Sequence, residues 1–497
     1  MGPPLAARSV MHGPTPGRFG AVAASALFIV LGGCAVGPDY VRPTLPAADA
    51  YSEDPLTPDI GTPVQRLAPA VDLPERWWEW FGSPALDDLV RTGLANNPTT
   101  SAARAALRAA QENVRASEGA YYPTAGVGYS ASRQKIADPL ASPAASGASY
   151  YSLHTAQVTV SYAPDVFGGT RRAVESLQAQ ADAQRWENEA ATLALSANLV
   201  NAAIQEATLR AQIDATRGVV AIQADLLERY RRLRVWGQVA ELDLTQQEAA
   251  LAAAEANLPP LEKQLALQRN LIKSLSGRAP GDPLAARFTL EALHLPETLP
   301  LTLPSVLVER RPDVRAAEAQ VRAANAAVGV AVANRLPGVT LGVDAWGSAA
   351  YAIADLFKAG TGFWTLAGGI TQPLFDAGTL QHREAAARAE VEQAAAQYRS
   401  TVLNAFQNVA DALQAIDADA RGLRAAQRAQ DAAQRSLGIA RRQLALGDVS
   451  PLAVLQSEET ALQAAVNVAQ AQGNRLADTV ALFQALGGGR WKDAPVP

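Results

Sequence analysis

The chain has 497 residues, of which 48% are hydrophobic and only 6% aromatic, and Ala dominates the hydrophobic share; such a composition favours long thin helices over a thick globular core. A net charge of −5 offers no basic footprint, so nucleic acid is excluded as an electrostatically supported partner. With Cys34 as the single cysteine, neither an intramolecular disulfide nor a thiolate zinc site can be built.

The N-terminus carries Arg8 and Arg18, then an apolar run from Ala21 to Leu31, the layout of a secretory signal peptide that is too short to span a bilayer. It ends Leu31-Gly32-Gly33-Cys34, which looks like a bacterial lipobox, so Cys34 is the expected lipidation site and first mature residue. Ala35 in the following position favours delivery to the outer membrane, and either Met1 or Met11 serves as the start. From Cys34 to about Pro74 the chain is rich in Pro, Ala and Asp, a composition that predicts an extended tether or a strap laid along other elements.

The body is one unit written twice. Pro98 and Pro123 recur as Pro312 and Pro337, with Ala102, Ala109, Val114 and Gly128 also repeated 214 positions later. Gly237, Val239, Leu242, Gln246, Glu248 and Gly277 recur 210 positions later as Gly447, Val449, Leu452, Gln456, Glu458 and Gly487. A period this long marks tandem duplication of a whole structural unit rather than a solenoid. The division that follows is a signal peptide at 1–33, a lipidated tether at 34–76, repeats at 77–290 and 291–490, and a C-terminal tail at 491–497.

Each repeat predicts helix, strand, strand, long helix, turn, long helix. Pro98 opens the first helix at its best position for proline, and Pro123 ends it. Alternation then predicts strands around Ala125–Ala131 and Ala156–Tyr162, and in the second repeat around Val339–Ala345 and Trp364–Thr371. Each has about the ten residues that a tilted strand needs to cross a bilayer. Residues 134–149 and 347–362 read as loops. Helices at 170–234 and 379–446 follow, each reaching about 100 Å at 1.5 Å per residue. Val391, Ala395, Tyr398, Val402, Ala405, Val409, Ala412 and Ile416 alternate spacings of four and three, as do Leu193, Ala197, Val200, Ile204, Ala207 and Ala211, which is a coiled-coil seam. Gly237 and Gly447 fall where one long helix reverses into the next. Pro259 and Pro260 remove amide donors from the returning helix of the first repeat and kink it.

Four membrane-length strands cannot close a barrel alone, and an open edge in lipid leaves backbone groups unpaired. Two copies would give eight strands around a filled interior; three give twelve and leave a lumen.

The sequence resembles the TolC-like outer-membrane efflux proteins, in their lipoprotein (NodT-type) branch, from Cys34 to about Gly488. The resemblance rests on the Cys34 to Pro43 opening, on Trp77-Trp78-Glu79-Trp80-Phe81-Gly82 followed by Pro84-Ala85-Leu86 and Asn96-Asn97-Pro98, on Arg310-Arg311-Pro312-Asp313-Val314, and on the paired turn regions at Gly237 and Gly447. It implies an α+β membrane protein: a homotrimeric 12-stranded β-barrel, four strands per chain, continued by a long α-helical coiled-coil barrel. It also implies an outer-membrane, lipid-anchored exit duct for small molecules with no cofactor beyond the covalent lipid. Its implied partners are a periplasmic adaptor and an inner-membrane transporter of the proton-driven class. The tryptophans at 77–80 are then expected to pack within a belt at the waist.

By the same resemblance, the two hairpins form a periplasmic tip that narrows to a gate. Relatives place aliphatic residues five positions after the turn glycine and acidic ones six or nine after. Here Leu242 and Leu452 hold the fifth position and Asp243 the sixth in the first repeat, but Ala453 and Gln456 replace the acids of the second. The expected gate is therefore Leu452 in three copies with Asp243 at the rim; packing of Leu452 in the hairpin seam is an equally open reading. Arg231, Arg232, Arg441 and Arg442 flank the turns as a solvated face or as partners for a neighbour. Phosphate-loop, zincin and nucleophile-elbow motifs are absent, and the four histidines have no metal-ligand spacing, so no enzyme is expected. Two rival functions remain: a lipid-anchored coiled-coil spacer, which would need no membrane strands, and the exit duct of a type I protein secretion system.

Overall fold

The computed structural model describes residues 35–44, 50–51, 65–69, 73–135, 137, 150–301 and 304–489. The signal region, Cys34 and the tail at 491–497 lie outside the described residues. In chain order the elements are β1 (Arg66–Pro69), a 3-10 turn (Trp77–Phe81), α1 (Pro84–Asn96), α2 (Pro98–Glu118), β2 (Thr124–Lys135), β3 (Tyr150–Tyr162), α3 (Gly169–Val235), α4 (Glu241–Ala256), α5 (Leu258–Leu275) and β4 (Thr298–Leu301). There follow α6 (Pro304–Arg310), α7 (Pro312–Ala333), β5 (Gly338–Ala350), β6 (Gly362–Thr371), α8 (Thr379–Leu446) and α9 (Pro451–Ala485). Among the described residues no helix is long and apolar enough to cross a membrane.

Two compact units form, and both cut across the two sequence repeats. One comprises Met1–Tyr40, Asn113–Leu177 and Ala323–Val391; the other comprises Val41–Glu112, Gln178–Arg322 and Glu392–Pro497. Like parts of the two repeats thus share a unit, and in the first unit β3 of the first repeat pairs directly with β5 of the second.

The first unit holds a four-stranded antiparallel sheet in the order β2-β3-β5-β6. Its strands run longer than the alternation alone predicts: the β2–β3 ladder extends from Thr124 opposite Ser161 to Lys135 opposite Tyr150. The pairing of β3 with β5 joins the two repeats directly, with register shifts between Val158 and Thr159 and between Asp344 and Gly347 on the β5–β6 side. Such bulges add twist and bend to a sheet.

In the second unit the helical seam is buried as its rhythm predicts: Tyr398, Val402, Ala405, Val409 and Ile416 of α8, and Ala197, Val200, Ile204 and Ala207 of α3, are all at 0% exposure. The Trp77–Phe81 turn packs as a unit. Trp77 and Phe81 are buried, and the rings of Trp77, Trp80 and Phe81 meet Phe483 of α9 edge-on at 5.8, 5.7 and 6.2 Å. One part of the tether is built into this unit: Arg66–Pro69 pairs in parallel with Thr298–Leu301, the segment that precedes the second repeat's helices, and Leu67 is buried there.

The duplication is repeated in detail at the helix ends. Asn97 and Arg311, each the residue before the opening proline, donate to the last-turn carbonyls of the returning helices: Asn97 Nδ2 to Leu275 O and Arg311 Nη1 to Ala485 O, both at 2.9 Å. The helices end alike, Gly277 and Gly487 taking positive φ of 75° and 89°.

Candidate functional site

Three groups of residues are placed for function: the faces of the sheet, the two hairpin turns, and the strap that follows Cys34.

On the sheet, the register aligns Ala125, Val127 and Tyr129 of β2 with Val160, Val158 and Ala156 of β3, and Val339, Leu341 and Val343 of β5 with Ile370, Gly368 and Leu366 of β6. These share one face, since side chains of alternate residues point to the same side. The opposite face carries Gly126, Gly128, Ser130, Gln157, Thr159, Ser161, Thr340, Gly342, Ala367 and Gly369, which are small or polar. The apolar side is bare: Val127 is 86% exposed, Trp364 76% and Ile370 75%. Among the described residues, the outer edges of β2 and β6 bind no other strand. One face thus suits a hydrocarbon solvent and the other suits water, with a hydrogen-bonding edge left open at each side.

Both hairpin turns are closed by the same device. Gly237 and Gly447 take φ of 69° and 82°, the left-handed conformation that a side chain resists. The amide of Gly237 donates to Arg234 O and that of Gln238 to Leu233 O; the amides of Gly447 and Asp448 donate to Leu444 O and Gln443 O in the same pattern. This paired arrangement satisfies the orphan carbonyls of a helix end. Ion pairs repeat across the hairpins too: Arg231 to Glu248 at 3.5 Å and Arg441 to Glu458 at 3.0 Å. The returning helices then differ. In the first repeat the helix is divided at Asn257, just before Pro259 and Pro260, whereas α9 is continuous over 35 residues.

The gate candidates occupy different surroundings. Leu242 is 65% exposed on the first turn of α4. Asp243 accepts the amide of Ala240 on Oδ2 at 3.3 Å and so caps α4. Leu452 is half-buried and packs with Tyr230 and Leu462 on Ile222, Leu226 and Leu455. Asp243 and Leu452 line one cavity of about 500 Å³ together with Leu226, Tyr230, Leu233 and Val239. In the single chain, therefore, Leu452 packs in the hairpin seam and also borders a cavity that Asp243 shares.

The strap enters the first unit beside the junction of β3 and α3. Val36 N donates to Phe167 O at 3.1 Å, Asn325 Nδ2 to Pro38 O at 2.9 Å, and Arg172 pairs with Asp39 at 2.8 Å. Gly37, at φ 97°, lies so close to Gly329 that a Cβ on it would meet the Gly329 backbone, and a Cβ on Gly329 would meet the Arg172 side chain and Val36 O. In the second unit Arg42 donates to Glu318 at 2.9 Å. Burial pushes the Glu318 carboxyl up, but hydrogen bonding by Arg322 and the charges of Arg42, Arg322 and Arg315 outweigh it and hold the pKa below the usual range.

Two buried polar groups on the helices escaped the sequence reading. Glu206, at 0% exposure, accepts from Arg269 at 2.7 Å and from Arg210 at 2.6 Å. Arg475, 1% exposed, donates to Ile416 O at 3.0 Å. Near it, burial, hydrogen bonding to Asp419 and the Asp419 charge push the Asp478 carboxyl up to about 7. The signal for Glu206 was present in the sequence, as a carboxylate inside an alanine-rich seam with Arg210 one turn on; the Asp419–Asp478 approach had none, being a contact between separate helices. Among the described residues no group of three or more His, Cys, Asp or Glu is arranged to hold a metal.

A four-stranded sheet apolar on one face and polar on the other, carried in one chain with two glycine-closed helical hairpins, defines a channel-forming membrane protein. The family model described as "Outer membrane efflux protein" matches residues 89–278 and 303–488. The pyoverdine export outer membrane protein OpmQ of Pseudomonas putida is 30% identical over 446 residues, covering 88% of this chain and 94% of that protein. The toluene efflux pump outer membrane protein TtgF of Pseudomonas putida is 29% identical over 476 residues, covering 93% and 96%. Among solved structures, the outer-membrane channel OprN superposes with a TM-score of 0.80 at 27% identity, covering 92% of this chain and all of that one. The chain belongs to the outer membrane efflux protein family. It is the outer-membrane channel component of an efflux system.

Proposed function

We propose that three copies of the chain form a passive exit duct for small molecules, lipidated at Cys34 and fed by a periplasmic adaptor and a proton-driven inner-membrane transporter. The observation that carries this reading is the sheet with one apolar face, one polar face and two open edges. In hydrocarbon each unpaired backbone group costs several kcal/mol, so the β6 edge of one copy must bond the β2 edge of the next until the ring closes. Strands of 10 to 13 residues suit a tilted crossing. Twelve strands leave a lumen and eight do not, and passage needs a lumen. The polar face, set with Gly, Ser and Thr, then lines water.

The duct works without catalytic chemistry or a cofactor, and its energy comes from the inner-membrane partner. The relatives' printed names, pyoverdine export and toluene efflux, favour small-molecule cargo over polypeptide. At the inner end, three copies of Leu452 close the gate, with Leu242 and Asp243 at its rim; the cavity shared by Asp243 and Leu452 supports this by giving Leu452 room to swing. The coiled-coil spacer is disfavoured, because it has no use for an amphipathic open sheet.

The test is the purified full-length protein in detergent. A mass of three chains by light scattering, loss of the trimer only on heating, and ion conductance in a planar bilayer are expected. A monodisperse monomer without conductance refutes the proposal. Mass spectrometry of the mature N-terminus reads the diacylglyceryl group, which Cys34→Ser abolishes.

A further inference from the structure

Alternate residues of a strand share a side, so the register lays out the polar face of the sheet in rows. Gly126, Thr159, Asp344 and Thr365 make one row, each opposing the next across the ladder. The row after it, away from the helices, is Gly128, Gln157, Gly347 and Phe363. Arg133 and Lys135 of β2 alternate with Gly126 and Gly128 and so belong to the apolar face. Among the described residues of the four strands, Asp344 is therefore the one charged side chain on the polar face, with Phe363 beside it one row on.

This pair belongs to the interior of the sheet. Asp344 lies on β5, between β3 and β6 of its own chain, so no seam with another copy falls beside it. Among the described residues no hydrogen bond or ion pair engages its carboxylate. The ladder is irregular directly after it: the register shifts between Asp344 and Gly347 on the β6 side and between Val158 and Thr159 on the β3 side. Bulges of this kind re-aim side chains. The Phe363 ring is half-buried and reaches across onto Gly347, where a Cβ would run into it. Diagonal neighbours on one face of a sheet stand about 7–8 Å apart, within reach of an aromatic side chain. A ligand held at the carboxylate can therefore meet the ring as well.

An unpaired carboxylate between low-dielectric walls concentrates cations and repels anions. An aromatic face next to it adds attraction for a cation and contact for its apolar substituents. The hydroxyls of Thr159 and Thr365, directly opposite Asp344 on either side, add polarity without a competing charge. We propose that Asp344 and Phe363 of each copy form a lumenal binding site for organic cations that carry an aromatic or aliphatic group, and that this site favours such cations among the cargo. The inference rests on the reading of the sheet as the wall of a water-filled barrel.

Thiol modification of the purified full-length protein in detergent tests it. Thr365→Cys sets a cysteine directly opposite Asp344, and the parent chain, whose only cysteine is position 34, gives the background. Benzyltriethylammonium is expected to slow reaction of that thiol with a neutral, water-soluble methanethiosulfonate several-fold, and benzenesulfonate to leave the rate unchanged. Asp344→Asn and, separately, Phe363→Ala in the same background should each remove the protection. Equal protection by the two ions, no protection by either, or protection that survives both substitutions refutes the site and leaves the duct standing. A thiol at 365 that is inert to the reagent while Leu366→Cys reacts exchanges the two faces of the sheet and overturns the duct itself. Should Thr365→Cys fail to fold, Thr159→Cys reads the same row from the other side of Asp344.

Discussion

Replacing Gly473 by Ala inverts the usual effect of that substitution. Gly473 lies inside α9 where it crosses α3, and a Cβ there would stand 3.0 Å from Thr208 Cγ2 and closer still to Thr208 Oγ1. Thr208 is 1% exposed and its hydroxyl donates to Ile204 O at 2.9 Å, so it cannot turn away without breaking a buried hydrogen bond. Overpacking of this kind costs about 1–3 kcal/mol. Removing glycine from a helix interior returns about 1 kcal/mol. The expected net effect is a destabilisation of about 0–2 kcal/mol, when Gly→Ala in an open helix stabilises. Gly422 and Gly438 of α8 supply the contrast, because nothing lies within 4 Å of a Cβ at either; each is expected to gain about 1 kcal/mol as Ala. Thermal unfolding followed by circular dichroism in detergent measures all three, together with Thr208→Ala and the double variant. In the Thr208→Ala background, Gly473→Ala should become stabilising, giving a coupling of about 1–3 kcal/mol. Additivity of the two substitutions would refute the close approach of α9 to α3 as the reason for glycine.

Leu452→Ala should raise single-channel conductance in a planar bilayer while leaving the trimer mass intact, and unchanged conductance sinks Leu452 as the gate. The raised Asp478 pKa makes stability fall with pH: between the ordinary value of 3.8 and about 7 the unfolded chain ionises while the folded one keeps its proton, so stability is greatest below about 4 and is lost as pH rises through 7. With the group half in solvent, screening reduces the effect to on the order of 1–2 kcal/mol, and Asp478→Asn should flatten the slope of melting temperature against pH over that window. Gly37→Val forces a branched side chain onto positive φ and into Gly329, so it should lift the strap and open the segment at 35–44 to proteinase K. Cleavage no faster than in the parent chain would count against the strap as a docked element.

The long helices, the strands and the hairpin turns were legible because each has a local signature: a seam spaced by four and three, alternation with period two, and glycine where the chain must turn left-handed. Thr379–Leu446 even begins and ends where the sequence places it. The rest was decided by contacts between distant parts of the chain. Arg66–Pro69 is a four-residue strand within a proline-rich stretch, and nothing near it announces its parallel partner at Thr298–Leu301. The strap's seat on Phe167 depends on two glycines, Gly37 and Gly329, whose mutual approach no periodicity records. For the expected gate, the sequence placed the candidates Leu242, Asp243 and Leu452 on the hairpins, and the structure puts Leu452 against Leu226 and Leu455 while Leu242 stands clear, a difference between equivalent positions that only packing reveals.

The unequal repeats have a consequence for how the gene can change. Six identical single units could enclose the same ring, but a substitution in one would appear six times around it, and any specialised part would have to be tolerated everywhere. Fusion of two units into one chain relaxes that constraint. One hairpin can return on a divided helix and the other on a continuous one, and a strap can be seated on the strand-to-helix junction of one repeat alone. Mutation then explores each half of the ring separately while the ring still closes.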